Sequence, residues 1–250
     1  MRALFALLLL ALCAVPAHAQ ALVTQLNRTE VEISSDFRGE MLTLFGTIEP
    51  GPGAETVPEG PYHVVVTVTG PLQTRLARQK THQVAIWINT EAVRFDGVPS
   101  FYQVLSDGKL DEIADPMLLA EKAITVAAQV RPTSGKGLPG VDYSAELIRL
   151  MTEKGLYKAD PAGVNFRSDL LFFAAVDLPS DAPPGSYLVK TYLLKDGQVI
   201  DEHADGFGVR KIGFERFLGQ AARQQPWLYG LAAVLLALGT GWLGGVVFRR

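Results

Sequence analysis

The sequence predicts a mostly β fold: an immunoglobulin-like β-sandwich in an exported domain, carrying a helical insertion, plus one C-terminal transmembrane α-helix. Three observations predict it. Residues 20–210 read largely as short apolar runs separated by Gly, Pro and Asp, the rhythm of strands and turns. Between about 111 and 158 the apolar spacing changes to that of helices. From Trp227 to Phe248 there is no Asp, Glu, Lys, Arg or His, and at a rise of ~1.5 Å per residue such a helix spans roughly 33 Å, enough to cross a bilayer's hydrocarbon core.

At the N-terminus, Arg2 precedes the apolar run Ala3 to Val15, and Ala17-His18-Ala19 places small residues at the two positions a signal peptidase reads. Residues 1–19 are therefore expected to be a cleavable signal peptide, with Gln20 the first mature residue. Cys13 does not fit a lipidation signal, because Leu12 precedes it where Gly, Ala or Ser is needed. It is the chain's single cysteine, so the mature protein can form no disulfide and supports no thiol-redox or zinc-ribbon role. Stability must come from a hydrophobic core, which a domain of ~200 residues can supply. The formal charge of −3 becomes one unit more negative once Arg2 is removed, and no basic face is clustered. Nucleic acid is not an expected partner.

The candidate strands are Thr29 to Ile33, Met41 to Ile48, Tyr62 to Thr69, Gln83 to Ile88, Leu170 to Val176, Tyr187 to Leu194 and Gln198 to Ala204. The runs at 64–68 and 170–176 are almost wholly apolar and too short for typical helices, which predicts strands at a sheet centre or covered on both sides. Lys195-Asp196-Gly197-Gln198 predicts a tight hairpin, since Asp-Gly supplies the positive backbone angles it needs. Pro183-Pro184-Gly185-Ser186-Tyr187 reads as a turn feeding an alternating strand, an arrangement that recurs in immunoglobulin-like sandwiches.

In the insertion, Asp115-Pro116 has the form of a helix N-cap followed by proline at the first helical position. Tyr143, Leu147, Leu150 and Met151 fall on one helical face that Gly155 would terminate. Residues 131–140 are too rich in Gly and Pro for regular structure and predict an exposed loop. Residues 211–225, with Phe214, Phe217, Leu218 and Ala221 at helical spacing, predict a juxtamembrane amphipathic helix, lying at the interface or packed on the domain. The membrane helix follows over 226–248, and Arg249-Arg250 forms a basic tail. Export of the N-terminus with one late span predicts an inner-membrane, single-pass protein, its bulk periplasmic and its C-terminus cytoplasmic, in agreement with the positive-inside rule.

Catalytic chemistry has little support. His63, His82 and His203 are the mature histidines; on a hairpin of 62–69 with 83–88, His63 and His82 would lie about 20 Å apart, too far to share a metal. Asp201-Glu202-His203-Ala204-Asp205 is dense, but successive strand residues point to opposite faces. Ser134-Gly135-Lys136-Gly137 lacks the full glycine spacing of a phosphate loop. No Gly-x-Ser-x-Gly elbow occurs, and Asn27-Arg28-Thr29 is a short sequon of little specificity. The expectation is no enzyme, no cofactor and no metal. Two stretches, 34–40 and 87–102, mix aromatics with arginine as interfaces do; they nominate Arg38, Arg94 and Tyr102 as a candidate recognition surface, with Trp87, Phe95 and Phe101 expected in the core.

Ser35-Asp36-Phe37-Arg38-Gly39-Glu40 with Leu42-Thr43-Leu44-Phe45-Gly46, Gly70-Pro71, and Ile86-Trp87-Ile88-Asn89 through Val98-Pro99-Ser100-Phe101-Tyr102 resemble an uncharacterised family of alphaproteobacterial transmembrane proteins. The resemblance covers nearly the whole chain, but brings no activity or catalytic residues with it. It implies a sulfite-exporter-type permease as a partner.

Ala233, Ala237, Gly241 and Gly245 recur every fourth residue and form one stripe on the membrane helix. Small residues let helix backbones approach closely in lipid, where packing drives association. The expected function is that of a non-enzymatic, membrane-anchored periplasmic protein, an accessory or assembly partner of a polytopic membrane protein. The partners are the lipid bilayer and either that protein or a second copy through the membrane helix. The alternative is a periplasmic module that binds or senses a small anion or envelope glycan.

Overall fold

The computed structural model describes residues 21–34, 37–50, 60–83, 86–212, 219 and 221–247, with side chains described at all of these except 21, 79–83 and 86–91. The expected signal peptide and the basic tail lie outside the described residues. So do Phe214, Phe217 and Leu218 of the expected juxtamembrane helix; residues 221–224 are helical.

Two sheets pack face to face. The first has the order β1 (Ala21–Leu26), β3 (Glu40–Glu49), β11 (Leu171–Leu178), β10 (Val164–Phe166). The second has the order β2 (Glu30–Ile33), β13 (Gln198–Lys211), β12 (Gly185–Lys195), β4 (His63–Thr69), β7 (Tyr102–Ser106), β9 (Tyr157–Asp160). In the lettering of immunoglobulin sandwiches these are A-B-E-D and A′-G-F-C-C′, with β9 added beyond C′. Residues before 110 and after 165 contribute to both sheets, so they build one sandwich. The first strand divides near Asn27: β1 pairs antiparallel with β3, whereas β2 crosses to pair parallel with β13. The Asn27 side chain sits at that crossing and accepts from the Thr43 amide at 3.0 Å.

The start of β12 carries a corner typical of such sandwiches. Tyr187, 2% exposed, donates its hydroxyl to the Pro183 carbonyl at 2.7 Å and stacks on Phe207 at 4.9 Å. Two residues on, where an antibody domain has a disulfide cysteine, Val189 is fully buried. Apolar packing takes the place of the covalent link in a chain with no second cysteine.

The continuous run in β4 has the expected cause. Val64, Val65, Val66 and Val68 are all fully buried because β12 and β7 flank the strand, the first sheet covers one face and the insertion covers the other. The run in β11 meets the other half of that expectation, a place at a sheet centre: Phe172, Ala174, Val176 and Leu178 are buried, but Leu171 is 45% exposed. It is central in its sheet, between β3 and β10, and on its outer face Phe173 and Ala175 are only partly buried, with Arg167 over the Phe173 ring. Lys195–Gln198 forms the predicted hairpin turn, with Asp196 at φ 51° and Gly197 at φ 78°, both in the left-handed region.

The stretch Gln83 to Ile88, expected to be one strand, instead spans the end of one strand and the start of another. β5 (Leu72–Gln83) and β6 (Ile86–Pro99) form a long antiparallel ribbon, to which the two-residue β8 (Ser134–Gly135) adds. Arg75, Arg78 and Lys80 interrupt the apolar pattern of β5, and a ribbon exposed along one edge tolerates such charges. β4 therefore never pairs with 83–88, and the assumed hairpin carrying His63 and His82 does not form.

The insertion packs on the outer face of the second sheet. It comprises α1 (Leu110–Ile113), α2 (Pro116–Glu121), a 3-10 turn (Val126–Gln129) and α3 (Tyr143–Glu153). Asp115 caps α2 by accepting from the Met117 amide at 2.8 Å, with Pro116 at the first helical position. Asp142 caps α3 by accepting from the Ser144 and Ala145 amides. Gly155, at φ 67°, ends α3 as expected. Tyr143 and Met151 of α3 are buried and Leu147 packs against the core, but Leu150 is 43% exposed; Ile148 takes the inward place expected of it. α4 (Pro226–Val247) is 22 residues long with no buried residue, long and apolar enough to cross a membrane.

Candidate functional site

Arg38, Arg94 and Tyr102 sit on three separate elements. Arg38 is exposed in the segment between β2 and β3. Arg94, on β6, is held by its neighbour: its Nε donates to both Asp96 oxygens at 2.8 and 2.9 Å. The Thr74 hydroxyl also donates to Asp96 at 2.8 Å, and these bonds, that from Thr74 foremost, hold the Asp96 carboxyl below its usual range. Tyr102 is a correction to the expected surface. It is 2% exposed and donates its hydroxyl to the Ile124 carbonyl at 2.8 Å, stitching β7 to the insertion. Burial pushes its ionisation well above the ordinary value. Its sequence neighbours are aromatic because they are core: Phe95 is fully buried and Phe101 is 1% exposed, as expected; the side chain of Trp87 lies outside the described residues. No hydrogen bond or ion pair joins the three nominated residues among the described residues.

Nor do His63 and His203 converge. His63 Nδ1 lies 2.8 Å from Asp107 Oδ2, while the other Asp107 oxygen accepts from the Val64 amide. His203 is partly buried, 3.8 Å from Asp205; the side chain of His82 is outside the described residues. Asp201 and Asp205 point from β13 towards β1, where Asp201 accepts from the Leu22 amide at 2.7 Å and Asp205 from the Thr24 hydroxyl. Among the described residues no group of three His, Cys, Asp or Glu could hold a metal ion. Glu202 faces the opposite way and bridges two lysines, Lys122 of the insertion and Lys190 of β12, each at 3.0 Å.

The glycines of Ser134-Gly135-Lys136-Gly137 have a packing role. A Cβ on Gly135 would lie 2.1 Å from the Ala92 carbonyl oxygen, and one on Gly137 would lie 2.4 Å from the Tyr143 ring. Only glycine lets this loop lie against β6 and α3.

On α4, Ala233, Ala237, Gly241 and Gly245 fall on one side, and a Cβ at either glycine would meet nothing within 4 Å. The Thr240 hydroxyl is satisfied within its own helix by the Leu236 carbonyl at 2.8 Å.

Sequence reasoning missed Gln103. It lies on β7 between Tyr102 and Val104, 1% exposed, and neither its Oε1 nor its Nε2 has a hydrogen-bond partner. It lines a cavity of about 270 Å³ with Phe101, Gly155, Lys158, Asp177, Leu178 and Pro179. The signal was a glutamine inside the otherwise apolar run of Phe101-Tyr102-Gln103-Val104-Leu105. A lone polar residue at a core position requires a partner, but sequence cannot show whether one is present.

No curated protein matches the chain. Residues 21–250 match the family model described as "Putative transmembrane protein (Alph_Pro_TM)". With that match across nearly its whole length, and with a β-rich domain followed by one uncharged helix, the chain belongs to this alphaproteobacterial transmembrane protein family.

Proposed function

We propose that this membrane-anchored protein is a non-enzymatic accessory or assembly subunit of a polytopic membrane protein, a sulfite-exporter-type permease being the class the family resemblance implies. The observation that carries the reading is α4: 22 residues, none buried, with Ala233, Ala237, Gly241 and Gly245 aligned along one side. A helix used only as a tether needs no such stripe, whereas a helix that packs against others in lipid does.

The outer face of the first sheet supports a contact outside the bilayer as well. Phe45 is 51% exposed and Leu171 45%. Phe173 lies directly opposite Phe45 across the ladder, with the Arg167 guanidinium 5.0 Å over its ring. Adjacent apolar side chains of this size are common at protein contacts. The sandwich occupies the periplasmic side of the inner membrane, with the C-terminus in the cytoplasm. The leader-like residues 1–19 and the start of the family match at residue 21 support that orientation.

The test is mild crosslinking of the full-length protein in its native membrane, followed by recovery and identification of what accompanies it. A stoichiometric polytopic protein is expected, and its recovery is expected to fail when Gly241 and Gly245 are both replaced by leucine. Recovery of the chain alone, or undiminished recovery with the double variant, would refute the reading. The alternative of a module sensing a small anion or glycan through Arg38 and Arg94 is weakened by the burial of Tyr102 and the engagement of Arg94 by Asp96. A ligand-binding role has better support elsewhere in the fold.

A further inference from the structure

We infer that the cavity beside Gln103 is a binding site for a small zwitterion of the α-amino-acid type. The cavity exists because one strand is short. β10 pairs only with Phe172, Phe173 and Ala174 of β11, so the rest of β11, to Leu178, has no ladder partner on that side. The second sheet continues past this point through β7 and β9. The sandwich is left open along one flank, and Gly155 and Pro179 border the gap: a Cβ on Gly155 would lie 4.0 Å from the Pro179 Cβ.

The lining divides into an apolar interior and a charged mouth. Phe101 and Leu178 are 1% and 2% exposed. Lys158 stands directly beside Gln103 across the parallel β7–β9 ladder. Its Nζ lies 3.0 Å from Asp160 and a loose 3.6 Å from Asp177, and about half of the Lys158 and Asp177 side chains is exposed. Between them the lining offers one cation, Lys158, one carboxylate, Asp177, and an amide with a free donor and a free acceptor.

A glutamine amide buried with both ends unpaired costs free energy unless something bonds to it. Its donor end and the Lys158 ammonium suit a carboxylate; its acceptor end and the Asp177 carboxylate suit an ammonium. A molecule carrying both groups on one carbon satisfies all four at once. Anions and cations alone satisfy half and leave the opposite charge facing them. The volume of about 270 Å³ is below the usual range for drug-sized ligands, and it selects a small molecule whose side chain rests on Phe101, Leu178 and Pro179.

The experiment is isothermal titration calorimetry of the detergent-solubilised full-length protein against the common L-amino acids, then against analogues of any that bind lacking the ammonium or the carboxylate. At least one amino acid is expected to bind saturably with one site per chain, and each analogue at least tenfold more weakly. Gln103→Leu removes both amide ends while filling similar volume; it is expected to leave the strand circular dichroism intact and to weaken binding at least tenfold. Lys158→Met, at the exposed mouth, provides a second variant that folding does not depend on, and the same weakening is expected. Failure of every amino acid to bind at millimolar concentration would leave ordered water as the partner of Gln103 and overturn the inference. Binding undiminished in both variants would overturn it equally.

Discussion

Replacing Gly46 with alanine should destabilise the sandwich severely, although a strand interior normally prefers alanine. Gly46 lies in β3 opposite Thr24 on one side and Phe172 on the other. The Phe172 ring lies across it, so a Cβ there would come within 2.1, 2.6 and 2.7 Å of three ring atoms. The ring has nowhere to go: Phe172 is fully buried and packs on Phe166 with centroids 5.7 Å apart. Overfilling a packed core costs roughly 1–3 kcal/mol, and driving out a buried phenylalanine approaches the ~3–5 kcal/mol of its deletion. A loss of about 3 kcal/mol is expected, which for a domain of this size lowers Tm by roughly 6–12 °C. Thermal and urea denaturation of the detergent-solubilised protein, followed by strand circular dichroism, measures it. In a Phe172→Leu background the same change should cost under about 1 kcal/mol, because the ring it strikes is gone. An equal loss in both backgrounds, or a Gly46→Ala variant within about 0.5 kcal/mol of wild type, would refute the steric argument.

Tyr187→Phe keeps the stack on Phe207 but loses the hydrogen bond to Pro183; a cost of about 1 kcal/mol is expected in urea unfolding, against ~3–5 kcal/mol for Tyr187→Ala. Equal losses would mean that the hydroxyl, not the ring, dominates. Burial tends to raise the Glu202 carboxyl, but hydrogen bonds from Lys122 and Lys190 outweigh it and hold the group below its usual range. A lowered folded value stabilises above the ordinary carboxylate pKa and loses that contribution as pH falls through the lowered one. Glu202→Gln should therefore reduce stability at neutral pH and flatten its decline on acidification; an unchanged acid profile would remove Glu202 as a contributor.

Much of this protein was legible without coordinates because local chemistry decides it. A long uncharged run is apolar enough to cross a bilayer whatever surrounds it in the chain, Asp196-Gly197 turns a hairpin from its own backbone angles, and Asp115-Pro116 starts a helix within its own four residues. The periodicity also located the insertion and most strands of the sandwich. Tertiary structure decided what depends on distant neighbours. The aromatic and arginine mixture at 87–102 reads alike as surface or core; that Tyr102 is core follows from the insertion lying on β7, a contact with Ile124 that spacing cannot reveal. The apolar run in β11 could not disclose that one face is fully buried and the other only partly, since that depends on the second sheet lying over the first of them. Gly46 gives no sign of the ring of Phe172, far away in the chain. Gln103 is an ordinary glutamine until the shortness of β10 opens a cavity beside it. Sequence thus located many of the elements, through interactions within a few residues, but not the short strands β1, β7, β9 and β10 or the β5–β6 ribbon, whereas the identity of the buried, unpaired and exposed groups was settled only when strands distant along the chain came together.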